Sequence, residues 1–505
     1  MYKLRTPSIR RVSLVLFSTK MFINNPELIN PIKVYDTLVV GSGPVGITLA
    51  IQLAEGGQKV LLLEGGSEDY TEESQNRYSG KMTGLDWSKF KYMDGLRLRY
   101  LGGTSNHWVG YCVQLDETDL EKWPLSYSEL YRNSEIAEII LEIQSFKDAN
   151  AFLSKDKTGY TRRPLLHAPR PIMRSPPVRF KSKYRTQLES HPNITICLNA
   201  NLVSINLTKD LNSIESIEVK ASPISRRVKI LVNKIALCMG AIECTRFMLL
   251  LQKKYPGKRN WNTKLVGKNF LEHPHFDWDD AIAYCISPKG SLERNNIAID
   301  KPFTEQKMTV AITPKKSTIK STNTLNYAFT FFKTDGNFKI EKFEKNYFSL
   351  IQKLKDQQTS EYDIHAVNLQ TEIDSDNNNY IKLSTSERDD FNLPRSEVSI
   401  TMTKELQHTV KKSVENLQKD IINLGGVLIR TTDNPSFFMG GAHPMGTTKM
   451  GRDQFSGVVD KNGKIFGIDN GYICSGSTFA TGGYANPTFT LVCMALNLSQ
   501  FLLKA

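Results

Sequence analysis

The segment from Gly440 to Gly451, GGAHPMGTTKMG, sets His443 between glycines and a proline, outside any helical or strand period. An imidazole with an ordinary pKa near 6.5 can take a proton at neutral pH, which is what a general base does. A histidine beside Pro and Gly can equally be a hydrogen-bonded turn residue, and the segment alone leaves both roles open. A second pattern with chemical potential lies near the start of the chain. Gly41, Gly43 and Gly46 form G-x-G-x-x-G directly after the apolar run Thr37 to Val40; an apolar-periodic stretch follows, and a second run, Val60 to Leu63, ends at Glu64. In such a β-α-β unit Gly41 makes the tight turn, Gly43 lets the backbone approach a pyrophosphate at the helix N-terminus, and Gly46 lets helix and strand pack closely. Glu64 then stands where a carboxylate binds an adenosine ribose diol. The pattern predicts a dinucleotide site without choosing between NAD and FAD.

A chain of 505 residues with 40% hydrophobic content can bury a large core and predicts two or three domains. The formal charge of +13 is scattered, with no block of like charges, so it fits solubility and anion steering better than a nucleic-acid groove. Seven cysteines without paired spacing give no disulfide framework and no zinc signature, which points to a reducing, cytoplasmic setting. No apolar run approaches the roughly 18 residues of a transmembrane helix. Residues 1–30 are expected to be a disordered extension, with Lys3, Arg5, Arg10, Arg11 and Lys20 before the first acid at Glu27. Arg10-Arg11 leaves twin-arginine export open, the lack of acids a mitochondrial leader, and Met21 an alternative start.

The far end, KIFGIDNGYICSGSTFATGGYANPTFTLVCMALNLSQFL, reads as a strand, a glycine-rich turn and a long helix starting just after Asn486-Pro487-Thr488. A β-α-β unit at one end completed by the last helix implies a domain assembled from distant pieces. Between them, in order, stand LGGTSNHWV (Leu101 to Val109), AIECTRFMLL (Ala241 to Leu250) after Met239-Gly240, VGKNFLEHP (Val266 to Pro274), and Thr371-Glu372 followed by IKLSTSERDDFNLPR. With these motifs the chain, from about residue 35 onward, resembles the glucose-methanol-choline (GMC) oxidoreductases, FAD enzymes that oxidise alcohols and sugars, and especially their pyranose-oxidase-like and bacterial sugar-dehydrogenase branches. Two positions depart from the pattern: Cys244 stands where Ser or Thr is usual, and Ser475-Gly476-Ser477 stands where many members carry an acidic flavin contact.

The resemblance implies an α/β, two-domain fold with FAD as cofactor. Residues 31–115, 195–270 and 455–505 would form a discontinuous Rossmann-like FAD-binding domain. Residues 116–194 and 271–454 would form a substrate-binding domain with an antiparallel sheet and helices, including the alternating stretch Glu361 to Thr403 and an amphipathic helix from Leu406 to Leu424. The active site would lie at their junction. There His443 would be the base, and Asn486 would orient the substrate oxygen; Asn486 could also serve only as a helix N-cap. The implied cofactor contacts are Gly41, Gly43, Gly46 and Glu64; Gly103, Thr104, Asn106, His107, Trp108 and Val109; Leu202 and Gly240; and Ser477, Asn486, Pro487 and Thr488.

The implied reaction is hydride transfer from a CH–OH group of a sugar, glycoside or other alcohol to the flavin. His107 holds the position at which pyranose-oxidase-like members can be bonded covalently to the flavin methyl, and the resemblance leaves that bond open. Trp108 and Tyr484 read either as packing aromatics or as a sugar-stacking platform. Val109 takes a place where a Thr hydroxyl is often found near the reactive edge of the flavin. Its aliphatic side chain favours a dehydrogenase, with a quinone or protein as electron acceptor, over an oxidase using oxygen. No metal is expected: His273-Pro-His275 reads as a poor chelate because strand neighbours face opposite ways or are skewed by the proline. An NAD-dependent dehydrogenase would leave the C-terminal motifs unexplained, and a catalytically inactive flavin-binding scaffold would leave the intact His443 and Asn486 unexplained.

Overall fold

The computed structural model describes residues 22–30, 33–84, 92–154, 165–258, 264–276, 281–297, 300–303, 306–334, 361–375, 378–431 and 439–504. The basic segment and Met21 lie outside them. Thr37–Val40 and Val60–Leu63 are strands buried at every position, as expected of a parallel sheet covered on both faces. Between them the helix Pro44–Glu55 opens with Gly43 at its N-cap and Pro44 in its first turn, where a missing N–H costs nothing. A six-stranded parallel sheet grows from this unit, in the order Phe22–Ile23, Ile194–Cys197, Val60–Leu63, Thr37–Val40, Lys234–Leu237 and Gly471–Ile473. The chain leaves Thr37–Val40 toward one side and reaches Lys234–Leu237 on the other. The carboxyl ends of these two strands therefore open the crevice that open α/β sheets use for ligands. The last helix, Thr488–Lys504, packs on Pro44–Glu55 and closes the distant pieces into one unit.

Residues 22–30, expected to be disordered, are ordered. Phe22–Ile23 pairs with Ile196 and Cys197 as an edge strand, and Pro26–Leu28 forms a turn capped by Asn25. The short strand gains its stability from its neighbour, and no local period announces it.

The second layer is an antiparallel sheet whose main path runs Val427–Arg430, Ala283–Pro288, Tyr362–Thr371, Tyr327–Lys333, Gln306–Pro314, His167–Arg174, Tyr111–Cys112. One face packs on the helix Lys404–Asn423, whose buried Leu406, Val410, Leu417 and Ile421 recur at helical spacing and meet Val367, Leu369 and Phe329. Thr403 caps that helix by accepting the N–H of Leu406 at 3.1 Å.

Strand pairing cuts across the segment boundaries drawn from the sequence. Tyr111–Cys112 joins the antiparallel sheet, and Lys81–Gly84 pairs with Pro394–Ile400 in a separate three-stranded sheet. The alternating stretch from 361 to 403 is likewise divided. Tyr362–Thr371 enters the large sheet, whereas Tyr380–Arg388 and Pro394–Ile400 form a hairpin beside Lys81–Gly84. Alternation fixes which face of a strand is buried and is silent on its partner.

A Cβ at position 46 would lie 1.8 Å from the carbonyl oxygen of Gly41, whereas at position 43 it would meet no heavy atom within 4 Å. Gly46→Ala should therefore lower thermal stability, since overpacking against fixed backbone costs about 1–3 kcal/mol or more. Gly43→Ala should cost no more than about 1 kcal/mol, the difference in N-cap preference. Equal melting temperatures for the two variants would show that helix and strand can separate there at no cost.

Candidate active site

A cavity of about 410 Å³ runs along the crevice from the β-α-β turn to His443. At one end it is lined by Gly41, Gly43 and Glu64, with Leu202 and Gly240 nearby. Glu64 is 6% exposed and already engaged: Oε2 accepts the Ser42 N–H at 3.1 Å and the Ser42 hydroxyl at 2.6 Å, and Oε1 accepts the Gly66 N–H at 2.7 Å. The carboxylate thus braces the glycine turn as well as facing the cavity. Gly103, Thr104, His107, Trp108 and Val109 line the middle, and His443, Asn486, Pro487 and Thr488 line the far end.

Three of the expected contacts stand behind the wall. Gly46 acts as a spacer between helix and strand. Asn106 donates to the carbonyls of Leu101 and Gly103 at 2.9 and 3.0 Å, stapling its own loop. Ser477 is fully buried between Ser475 Oγ at 2.7 Å and Thr448 Oγ1 at 2.6 Å, while Ser475 and Gly476 line the cavity in its place. Ser475 therefore lines the wall where many members of the family the chain resembles carry an acid. Trp108 donates its indole N–H to Val178 O at 2.9 Å and keeps part of its ring on the cavity. Tyr484 is buried and lines a separate pocket next to Arg170, so it does not share a wall with Trp108. Burial holds the His107 imidazole below its ordinary pKa.

A buried charged cluster that the motifs do not announce also lines this cavity. Arg97, buried under the ring of Tyr78 at 4.1 Å, donates to Tyr78 O at 2.7 Å and to Glu243 Oε1 at 3.3 Å. Arg246 joins Glu243 at 3.2 Å to Asp389 at 2.6 Å. Burial pushes the Glu243 carboxyl up, but Arg246 and Arg97 more than offset it and hold it below the usual range. The alternating arginines of RLR, immediately before the glycine loop, were the available signal.

At the other end, two segments run antiparallel. Leu271 and Met445 exchange backbone hydrogen bonds at 3.0 Å, Gly441 N–H donates to His273 O at 2.7 Å, and Pro274–His275 pairs with Met439–Gly440. Between these contacts Ala442 takes φ +60°, a left-handed conformation that strains a residue with a Cβ and turns the chain so that His443 faces the cavity. Glu272, wholly buried, ties the ribbon together. Its Oε1 accepts the N–H groups of His273 and His443, each at 2.8 Å, and its Oε2 accepts the Tyr92 hydroxyl. Burial pushes its pKa up to about 7 against these donors.

His443 Nε2 lies 3.1 Å from Asn486 Nδ2, and its Nδ1 lies 3.0 Å from His273 Nδ1. Desolvation, with His273 and His275 nearby, holds His443 well below the ordinary histidine pKa. The rings of His273 and His275 approach His443 with centroids at 5.0 and 6.3 Å. The expectation that they face opposite ways fails, because residues two apart on a strand share a face. A Cβ at position 441 would lie 2.7 Å from His275 Nε2 and 2.8 Å from His443 Nδ1, so only glycine lets the three rings gather. Among the described residues, no cluster of His, Cys, Asp or Glu could hold a metal, and no helix is long and apolar enough to cross a membrane.

The GMC oxidoreductase family model matches residues 375–495. The chain is 26% identical over 133 residues to pyranose 2-oxidase of Lyophyllum shimeji, covering 26% of this chain and 21% of that protein. It is 23% identical over 282 residues to the fructose dehydrogenase large subunit of Gluconobacter japonicus, covering 55% and 48% respectively. The matched stretches thus span less than half of either relative. Among solved structures, pyridoxine 4-oxidase from Mesorbium loti superposes with a TM-score of 0.56 at 13% identity, over 93% of this chain and 99% of that one. An R554K variant of Aspergillus oryzae RIB40 formate oxidase superposes at 0.54 and 15%, over 93% and 98%. These two share the fold.

Replacing Glu272 by Ala would strip two buried N–H groups and the Tyr92 hydroxyl of their acceptor, each worth about 1–3 kcal/mol if left unsatisfied. Glu272→Ala should lower the denaturant midpoint by an amount equivalent to about 3 kcal/mol or more. A midpoint within error of the wild type would mean the ribbon does not depend on this carboxylate.

Proposed function

We propose that the chain is a GMC oxidoreductase that oxidises the CH–OH group of a sugar, glycoside or other alcohol by hydride transfer to FAD, with His443 as the base. The observation that carries this reading is the approach of His443 Nε2 to the Asn486 amide at 3.1 Å on the wall of the cavity. The residues suit FAD: an accessible backbone at Gly43, a braced carboxylate at Glu64 and a cavity continuous from that end to His443. When bound there, FAD supplies the hydride acceptor. The names of the two relatives, a pyranose oxidase and a fructose dehydrogenase, support a sugar or related alcohol as substrate class.

The chain's own residues then do the following. The alcohol oxygen would take the place of the direct contact between His443 Nε2 and Asn486 Nδ2, within reach of both, and His443 would take the hydroxyl proton as the hydride leaves. Asn486 stabilises the oxygen as it gains negative character, without adding a fixed charge. His107 remains a candidate for a covalent bond to the flavin, which acid precipitation of the protein decides by whether flavin stays with the pellet.

His443→Ala should keep the fold and bound flavin while slowing anaerobic flavin reduction by about 10²–10⁴. Because the folded-state pKa of His443 lies below 6.5, the base stays unprotonated through neutral pH, and the acid limb of the reduction rate should fall below pH 6.5. A variant that reduces its flavin at the wild-type rate would remove His443 from this role.

We assign the electron acceptor to the dehydrogenase class. Val109 lines the cavity with a side chain that offers no hydrogen bond. The reduced enzyme should react faster with a quinone than with air; faster reoxidation by air, with stoichiometric hydrogen peroxide, would make the protein an oxidase.

A further inference from the structure

We propose that His273 is a positioning residue that dictates which nitrogen of His443 carries the proton. The inference rests on the reading of His443 as the base. It follows from hydrogen-bond accounting along one buried chain of groups. His273 Nε2 lies 3.2 Å from the carbonyl oxygen of Gly482. A carbonyl only accepts, so Nε2 carries the hydrogen. Burial holds His273 down to a pKa of about 4, so near neutral pH the ring has a single N–H, and Nδ1 must be a bare lone pair.

Gln370 gives the same answer independently. Its amide nitrogen donates to Tyr484 O at 2.6 Å, which fixes the orientation of the amide. The same nitrogen lies 3.3 Å from His273 Nδ1, so a second amide hydrogen points at that atom. Two groups on opposite sides of His273, one that can only accept and one oriented to donate, thus select the same tautomer.

The consequence passes to His443. Its Nδ1 lies 3.0 Å from His273 Nδ1, and two lone pairs cannot face each other at that distance. His443 Nδ1 is therefore the donor, and in a neutral ring Nε2 is left bare. Nε2 is the nitrogen that faces the cavity and Asn486. The opposite tautomer would point a hydrogen at the substrate and set two acceptors against each other inside the protein. Tyr92 donates to Glu272, which also accepts the backbone N–H groups of His273 and His443, and the His275 ring lies with its centroid 6.3 Å from that of His443. No proton needs to reach His273. When Nε2 takes the substrate proton, the Nδ1–H bond to His273 becomes charge-assisted and strengthens as the imidazolium forms.

The test is the tautomer itself, read by long-range ¹H–¹⁵N correlation on the oxidised holoenzyme labelled at histidine nitrogens, with His443 and His273 assigned by substitution. The expected spectrum has His443 protonated at Nδ1 and His273 at Nε2. In His273→Leu, His443 should shift toward Nε2–H. Flavin reduction should slow at least about tenfold with KM little changed, since a base in the wrong tautomer can lose on the order of 10⁴ in kcat. His273→Asn, whose amide oxygen can accept near the place of Nδ1, should recover a measurable part of the rate and the Nδ1–H signal. A wild-type spectrum with His443 protonated at Nε2 overturns the proposal even if no variant folds. So does a His273→Leu variant that keeps both tautomer and rate. Failure of the underlying reading looks different: His443→Ala would then reduce its flavin normally, whatever the tautomers are.

Discussion

The antiparallel contact between residues 271–275 and 439–445, held at its centre by the buried Glu272 carboxylate, is the constraint on which the site depends. One oxygen of Glu272 takes the N–H groups of both His273 and His443. Two imidazoles 170 residues apart in sequence are thereby fixed face to edge. Without that shared acceptor each N–H would be buried and unpaired, a cost that folding cannot leave standing at several positions at once. The left-handed Ala442 is tolerable for the same reason: hydrogen bonds on either side of it determine the path of the chain, and the strain is confined to one residue.

The parallel sheet answers to a different constraint, the close approach of helix and strand at Gly46 and the short turn at Gly41. Because Lys234–Leu237 and Gly471–Ile473 extend the sheet beyond Thr37–Val40, the chain must return to the same edge twice after long excursions. Each return delivers a segment to the crevice. The first brings Gly240 and the helix that carries Glu243 and Arg246; the second brings Ser475 and the loop that ends at Asn486. Most strands of the large antiparallel sheet lie between these returns in sequence, and Tyr111–Cys112 and His167–Arg174 precede both. The sheet contributes Gln370 from one of its central strands, which links His273 to Tyr484 in the loop of Asn486.

Legibility in the sequence followed the range of the interaction. Thr37–Val40, Val60–Leu63 and the helices 404–423 and 488–504 were readable because an apolar period, a cap or a glycine turn lies within a dozen residues of each. That Glu64 and His443 would line one cavity was readable because their flanking residues carry the motif. Phe22–Ile23 was not, since two residues hold no period and their stability comes from Ile194–Cys197. Nor was the split of residues 361–403 between two sheets, because alternation names a buried face and leaves the partner undetermined. His273 was missed in an instructive way. Weighed only as half of a metal chelate with His275, it was set aside, although residues two apart on a strand face the same side and can gather on a third group.

The three histidines also set the electrostatic character of the site. Burial holds His273 at about 4 and His275 at about 3, with His443 well below its ordinary value, so the resting site carries no imidazolium at neutral pH. A base with so low a proton affinity is a poor acceptor for an alcohol proton in isolation. On the reading of His443 as the base, the deficit would shrink as the reaction proceeds, because the proton would be released only as the hydride departs and the oxygen becomes carbonyl-like. At that moment the hydrogen bond from His443 Nδ1 and the amide of Asn486 both meet charge that was absent at rest. Fixed dipoles of this kind need no reorganisation when the charge develops, and in a site closed to water they act with little screening. Neutral at rest, the pocket can admit an uncharged alcohol without first desolvating an ion, and it concentrates its electrostatic work in the step that transfers the proton.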